Sequence, residues 1–366
     1  MKLIYGVKDK PSVGKTILFA LQQLLAILAA TIAVPAIVGN GMSQSAALFG
    51  AGIGTLVYQL FTKFKSPVFL GSSFAFLGSM FAAFGGAAST AVGYAGLLIG
   101  AAFAGLVYVI IAVIVRFAGV KWISKLMPPV VIGPVVALIG LSLAGNAVGD
   151  ALKGAVNDGG VYVMNTAGWI SLLCGLITLV TVMIASVYGK KTAKMIPFII
   201  GIVVGYIVAA IFTVIGMKTG NDSLKVINFG LFSDMKWLPD FTFMKAFEGI
   251  QAVDAKYIAT IAVAYVPVAF VVFAEHLADH KNISSIIESD LLEEPGLHRT
   301  LLGDGVGSIA GAFFGGCPNT TYGESIGCVA ITQNASVITV TYAAFLSILV
   351  AFISPQWPSS TPSRPA

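Results

Sequence analysis

Residues 315–324 read Gly315-Gly316-Cys317-Pro318-Asn319-Thr320-Thr321-Tyr322-Gly323-Glu324, and a second interruption, Ser66-Pro67-Val68-Phe69-Leu70-Gly71-Ser72-Ser73-Phe74, lies in the first half of the chain. Each belongs to an apolar run, 322–332 and 68–84, that is too short or too broken to be an ordinary bilayer-crossing helix. Both read as extended backbone leading into a half-helix. Hydrocarbon offers no partner to extended N–H and C=O groups, so such segments persist only where protein or a water-filled cavity covers them. Interruptions at corresponding positions of two halves are the sequence pointer to a transporter's substrate site.

The rest of the chain fits that reading. Of 366 residues, 57% are hydrophobic and only 10% charged, and mean hydropathy is +0.92, whereas a soluble domain carries roughly 25% charge. This composition predicts an all-α polytopic membrane protein. The 41 glycines and 15 prolines exclude a bundle of uniform helices, because at membrane depth they mark close packing or broken helices. Eleven apolar stretches stand out, near 17–38, 46–62, 68–84, 91–115, 128–147, 165–188, 195–216, 257–278, 299–316, 322–332 and 335–353.

Seven of these fill 1–216 as a first repeat, a polar extracytoplasmic loop covers 217–256, and 257–353 holds spans 8–11 of an incomplete second repeat. A matching unit would need three more spans, which predicts a C-terminally truncated product, and the Pro/Ser tail 354–366 reads as disordered. The stretch Ile17–Val38 is 22 residues long, too long for a signal-peptide core, and reads as a retained first helix. The net charge of +5 sorts as a topology signal rather than a nucleic-acid surface. With the N-terminus cytoplasmic, 14 of the 21 Lys and Arg fall inside. Cys174, Cys317 and Cys328 read as small core residues, neither a disulfide framework nor a metal site.

Most of the acids lie in loops, so Glu275, Asp279, Asp304 and Glu324 stand out, since a carboxylate inside a span defaults to a functional role. Glu324 opens a half-helix, where free N–H groups and the positive dipole end gather around a polar ligand; capping of its own helix is the alternative. Glu275 and Asp279 are i and i+4 on one face, and His276 and His280 share an adjacent one. Neighbouring carboxylates suit reversible proton binding. A Glu-His-x-x-Asp-His metal site is the rival, but its acids and histidines occupy different faces, so no metal is expected. Asp279 and His280 could instead stand in cytoplasmic water with Lys281, and Asp304 is divided evenly between helix packing and the interface. Gln22 and Gln23 could face a cavity or bond between helices. The segment Asp9-Lys10-Pro11-Ser12-Val13-Gly14-Lys15-Thr16 imitates a phosphate-binding loop but has Asp9 where glycine is required and no preceding strand. No Ser/His constellation suggests an enzyme.

These residues resemble a known family. Ala274-Glu275-His276, Asp290-Leu291-Leu292 with Pro295-Gly296-Leu297-His298-Arg299, and Pro318-Asn319-Thr320-Thr321-Tyr322-Gly323-Glu324, supported by Gly71-Ser72-Ser73-Phe74-Ala75-Phe76, resemble the nucleobase-ascorbate transporters (the second nucleobase:cation symporter family), and within it the bacterial uracil permeases. The resemblance runs from about Val7 to Pro355. It implies an inverted-repeat transporter fold of seven plus seven spans, with a core and a gate domain and short antiparallel strands in segments 3 and 10. It also implies a proton-coupled uracil symporter of the bacterial cytoplasmic membrane, with H+ as coupling ion, no other cofactor, and a homodimeric assembly. By the same resemblance Glu275 and Glu324 bind the ring N–H groups of the base, backbone N–H of Phe74 and Gly323 bind its carbonyls, Tyr322 packs nearby, and Glu275 with Asp279 carries the proton.

Three departures matter. The family's Gln-His pair in the first span is Gln22-Gln23 here, Asp279 stands where one well-studied uracil permease has a histidine and purine members resemble this chain, and the last three spans are absent. A xanthine or uric acid symporter and a truncated, non-transporting fragment are therefore the alternative readings.

Overall fold

The computed structural model describes residues 3–126, 128–142, 144–152, 155–158, 161–190, 193, 197–227 and 237–353. The tail 354–366, expected to be disordered, lies outside the described residues, as do Lys2, Lys191, Lys194 and Lys236 of the charge count.

In chain order the elements are α1 (Val13–Val38), α2 (Gln44–Phe61), β1 (Leu70–Ser72), a 3-10 turn (Phe74–Phe76), α3 (Leu77–Gly85), α4 (Thr90–Ala118), α5 (Lys121–Leu126), α6 (Pro129–Ser142) and α7 (Ala144–Ala151). A hairpin of β2 (Val156–Asp158) and β3 (Val161–Val163) follows, then α8 (Thr166–Tyr188), α9 (Pro197–Thr219), α10 (Thr242–Gly249) and α11 (Ala255–Ile287). The chain closes with α12 (Leu297–Gly315), β4 (Asn319–Thr321), α13 (Gly323–Thr332) and α14 (Val337–Ala351). Among the described residues five helices are long and apolar enough to cross a membrane: Val13–Val38, Thr90–Ala118, Thr166–Tyr188, Ile200–Thr219 and Ala255–Ile287. Their outer faces carry exposed Leu106, Ile110, Val113, Leu176, Val180 and Ile184, an apolar surface that suits lipid and not water.

Helix starts follow the local chemistry. Ser43 accepts from the Ala46 N–H at 3.1 Å, Asn165 from Gly168 at 2.8 Å and Asp254 from Tyr257 at 2.7 Å, each satisfying one of the donors a helix leaves unpaired at its N-terminus.

Two compact units divide the chain, residues 1–139 with 234–366, and residues 140–233. In the smaller one, α8 and α9 pack through glycine: a Cβ added at Gly205 would lie 2.0 Å from Thr178 Oγ1. Ile170, Cys174 and Ala209 form its buried cluster.

In the larger unit both sequence interruptions become strands. β1 and β4 pair antiparallel in the register Leu70–Thr321, Gly71–Thr320 and Ser72–Asn319. Bonds from Tyr322 N to Phe69 O (3.2 Å) and from Ser73 N to Pro318 O (2.9 Å) prolong the ladder at either end. All six strand residues are buried. Each break therefore supplies the backbone partners the other lacks.

Glycine lets helices come close enough to enclose this pair. On α12, Gly303, Gly307, Gly311 and Gly315 recur every fourth residue and lie along one face. A Cβ at Gly307 would meet the Gly54 carbonyl oxygen at 2.7 Å, and one at Gly50 would meet that of Gly311 at 2.3 Å. The α2 and α12 backbones are thus in direct contact, as small residues permit in membranes. A second close crossing runs between α4 and α12, where a Cβ at Gly105 would lie 2.8 Å from the Gly305 carbonyl oxygen.

Gly307→Val is expected to destabilise the protein by at least the ~1–3 kcal/mol of an overpacked core, read as a lowered melting temperature in detergent. Gly327→Ala is expected to melt at or above the parent temperature, because nothing lies within 4 Å of the added Cβ and alanine is the better helix former.

Candidate functional site

Antiparallel pairing decides what happens around the strands. β1 runs through the 3-10 turn into α3 and β4 runs into α13, so the two half-helices leave in opposite directions with both N-termini at the strand pair. Their orphan N–H groups and positive dipole ends face a shared region. Phe74 opens the turn after β1 and Gly323 opens α13.

α11 brings carboxylates to this region. It runs for 33 residues, so Asp279 and His280 lie within the helix, His280 fully buried and Asp279 half-buried. Asp279 is fixed by the strand pair: Thr321 Oγ1 donates to its Oδ2 at 2.6 Å, and a Cβ at Gly323 would lie 3.9 Å from its Oδ1. Glu275, one turn earlier, has a buried Oε2 with no hydrogen-bond partner among the described residues. Glu324 itself, the second residue of α13, is exposed.

Glu275, Asp279, Gly323 and Glu324 are therefore brought together. Tyr322 is buried, and its hydroxyl donates to the Ser72 carbonyl at 2.7 Å. Its ring covers Gly71, where an added Cβ would sit 2.4 Å from a ring carbon. Tyr322 thus secures the strands.

Behind Glu275 lies a second polar layer. His276 Nδ1 is 2.7 Å from Asp304 Oδ2 and its Nε2 is 3.0 Å from Thr300 Oγ1, with His276 and Asp304 both fully buried. Asp304 therefore joins α11 to α12, resolving the alternatives left open for it in favour of packing. The His280 Nδ1–H donates to the His276 carbonyl at 2.8 Å, and its Nε2 is 2.7 Å from the Tyr58 hydroxyl. The two rings stack at 3.9 Å. Their nitrogens are turned to these partners, so the two acids and two histidines do not converge, and among the described residues no group of three His, Cys, Asp or Glu could hold a metal. Gln23 Nε2 donates to the carbonyl and the hydroxyl of Ser325, next to Glu324, while Gln22 Oε1 has no partner among the described residues. All three cysteines are free and buried.

On the surface, Lys65 is paired with Glu294, and this bond holds the Glu294 carboxyl below its ordinary value.

Thr321, Ser325 and the His276–Asp304 pair are components of the site that sequence reasoning missed. His276 and Asp304 each stood out singly and the polar run Asn319-Thr320-Thr321 read as extended backbone, but nothing in the sequence paired His276 with Asp304 or Thr321 with Asp279.

Paired broken helices with converging N-termini, set among membrane-length helices, define a transporter. The sequence matches the Permease family over residues 14–355; the chain belongs to this family, the nucleobase-ascorbate transporters, which are transporters rather than enzymes. It is 38% identical to a uracil permease of Bacillus caldolyticus over 354 residues, 96% of this chain and 74% of that protein. It is 37% identical to a uracil permease of Bacillus subtilis (strain 168), covering 96% of this chain and 75% of that protein. The transmembrane domain of the cyanobacterial bicarbonate transporter BicA shares the fold, with a TM-score of 0.63 at 18% identity, covering 94% of this chain and 84% of that one.

Thr321→Val is expected to cost about 1–3 kcal/mol by stripping the Asp279 carboxylate of its buried donor, seen as a lowered melting temperature. Thr321→Ser should restore it.

Proposed function

We propose that the protein is a proton-coupled nucleobase symporter of the bacterial cytoplasmic membrane, with uracil as its substrate and its N-terminus in the cytoplasm. The observation that carries this reading is that Oε2 of Glu275, beside the half-helix that bears Glu324, is buried with no hydrogen-bond partner among the described residues. Uracil is flat and presents two ring N–H donors and two carbonyl acceptors. Carboxylates at 275 and 324 match the donors, and the first-turn N–H groups at Phe74 and Gly323 match the acceptors. The relatives' names, uracil permeases in both Bacillus proteins, support the same choice.

The coupling proton resides on Glu275 with Asp279 as its neighbour, so base and proton occupy one acidic region and move together. The strands lie at the midplane of an inverted repeat, with spans 1–7 in residues 1–216, the extracytoplasmic loop in 217–256 and spans 8–11 in 257–353.

A purine substrate, xanthine or uric acid, is the second reading, favoured by Asp279, the position at which purine members resemble this chain. Competition separates the two: excess unlabelled uracil is expected to abolish uptake of labelled uracil, and excess xanthine to leave it unchanged.

Uptake of radiolabelled uracil into a permease-null strain tests the site. Glu275→Gln and Glu324→Gln should each reduce it by at least about tenfold, the cost of one good hydrogen bond to a charged group, and a protonophore should collapse it in the parent. Parental rates in both variants would remove the two carboxylates from the reading. A folded, membrane-inserted parent without uptake would favour the non-transporting fragment.

A further inference from the structure

The residues just before the segment that fails the phosphate-loop pattern have a task of their own. Residues 3–9 run along the link between α13 and α14 as a single bridge at Tyr5 followed by a turn at Val7–Lys8. Ile4 N donates to the Gln333 carbonyl at 2.8 Å, Ala335 N to Tyr5 O at 2.9 Å and Val337 N to Val7 O at 3.1 Å; Tyr5 and Asn334 form a parallel bridge. Ser336 Oγ donates to the Asp9 carbonyl at 2.6 Å. Asp9, the residue that broke the motif, accepts from the Gly6 N–H at 2.8 Å through its carboxylate and so closes that turn.

The side chains complete the attachment. Leu3 and Val7 pack on the buried cluster that contains Ile283 near the end of α11 and Ile326 and Val329 of α13. Those two elements carry Glu275 and Glu324. A ten-residue helix has little stability of its own and takes its position from packing, so whatever holds the far end of α13 also sets where its first turn stands. The Gln333 carbonyl that receives Ile4 belongs to the left-handed residue closing α13.

We propose that residues 3–9 form a positioning strap that ties the ends of α11 and α13 together and thereby sets Glu324 against Glu275, so that affinity for the base depends on a segment that never touches it. This inference rests on the reading of Glu275 and Glu324 as the base site.

The test uses the purified full chain, uracil titration by calorimetry, and hydrogen–deuterium exchange of residues 323–332. Deletion of residues 3–8, and Val7→Asp alone, are expected to weaken uracil binding by about tenfold well below the melting temperature, and to speed exchange in 323–332. Val7→Ile should restore both. A strap that only adds stability would lower the melting temperature and leave the affinity of the folded protein unchanged, and that result overturns the proposal. If the deletion and Val7→Asp fail to accumulate, Ser336→Ala decides by the same two readouts, with parental values overturning it. Unchanged affinity in Glu275→Gln and Glu324→Gln would instead sink the base-site reading. The strap then stands or falls on the exchange of 323–332 alone.

Discussion

Hydrocarbon cannot hydrogen-bond a peptide group, and the rest of the structure depends on how this chain meets that constraint. Two segments leave helical geometry at membrane depth, and each would be intolerable by itself. They are tolerated because the carbonyls and amides of β1 find those of β4. Everything functional follows from that pairing, since antiparallel strands oblige the following half-helices to start at one place and diverge. The positive ends of two helices are thereby collected beside the carboxylates of α11 without any residue being placed for the purpose.

Glycine is the second requirement. The strand pair must be covered by protein, and covering it needs helices closer than side chains allow. The four-residue spacing of glycine on α12 supplies that approach against α2, and Asn319 of β4 fills the seam by donating to the Gly50 carbonyl at 3.1 Å. The abundance of glycine is thus tied to the breaks. It is what allows an interrupted backbone to stay dry.

The sequence disclosed what local chemistry controls. The two breaks, the half-helix that follows the second of them and the isolated acids were legible because each depends on residues adjacent in the chain. Contacts between distant residues were not. His276 meets Asp304 across 28 positions and Thr321 meets Asp279 across 42, and neither pairing leaves a periodic trace. The apolar stretch ends at 278, where Asp279, His280 and Lys281 look like a boundary with water. The helix continues to Ile287 because Thr321 and Tyr58 replace that water as partners. The hairpin of β2 and β3 was hidden for a different reason: two three-residue strands are too short to show alternation.

Tyr322 lying on Gly71 has a mechanical corollary. A ring seated where a side chain is missing, and bonded to Ser72, prevents the two short strands from sliding past one another. Relative slippage would push a larger neighbour beneath the ring. Both half-helices must consequently travel as one rigid cassette, and any motion that presents the pocket first to one side of the bilayer and then to the other has to hinge outside it.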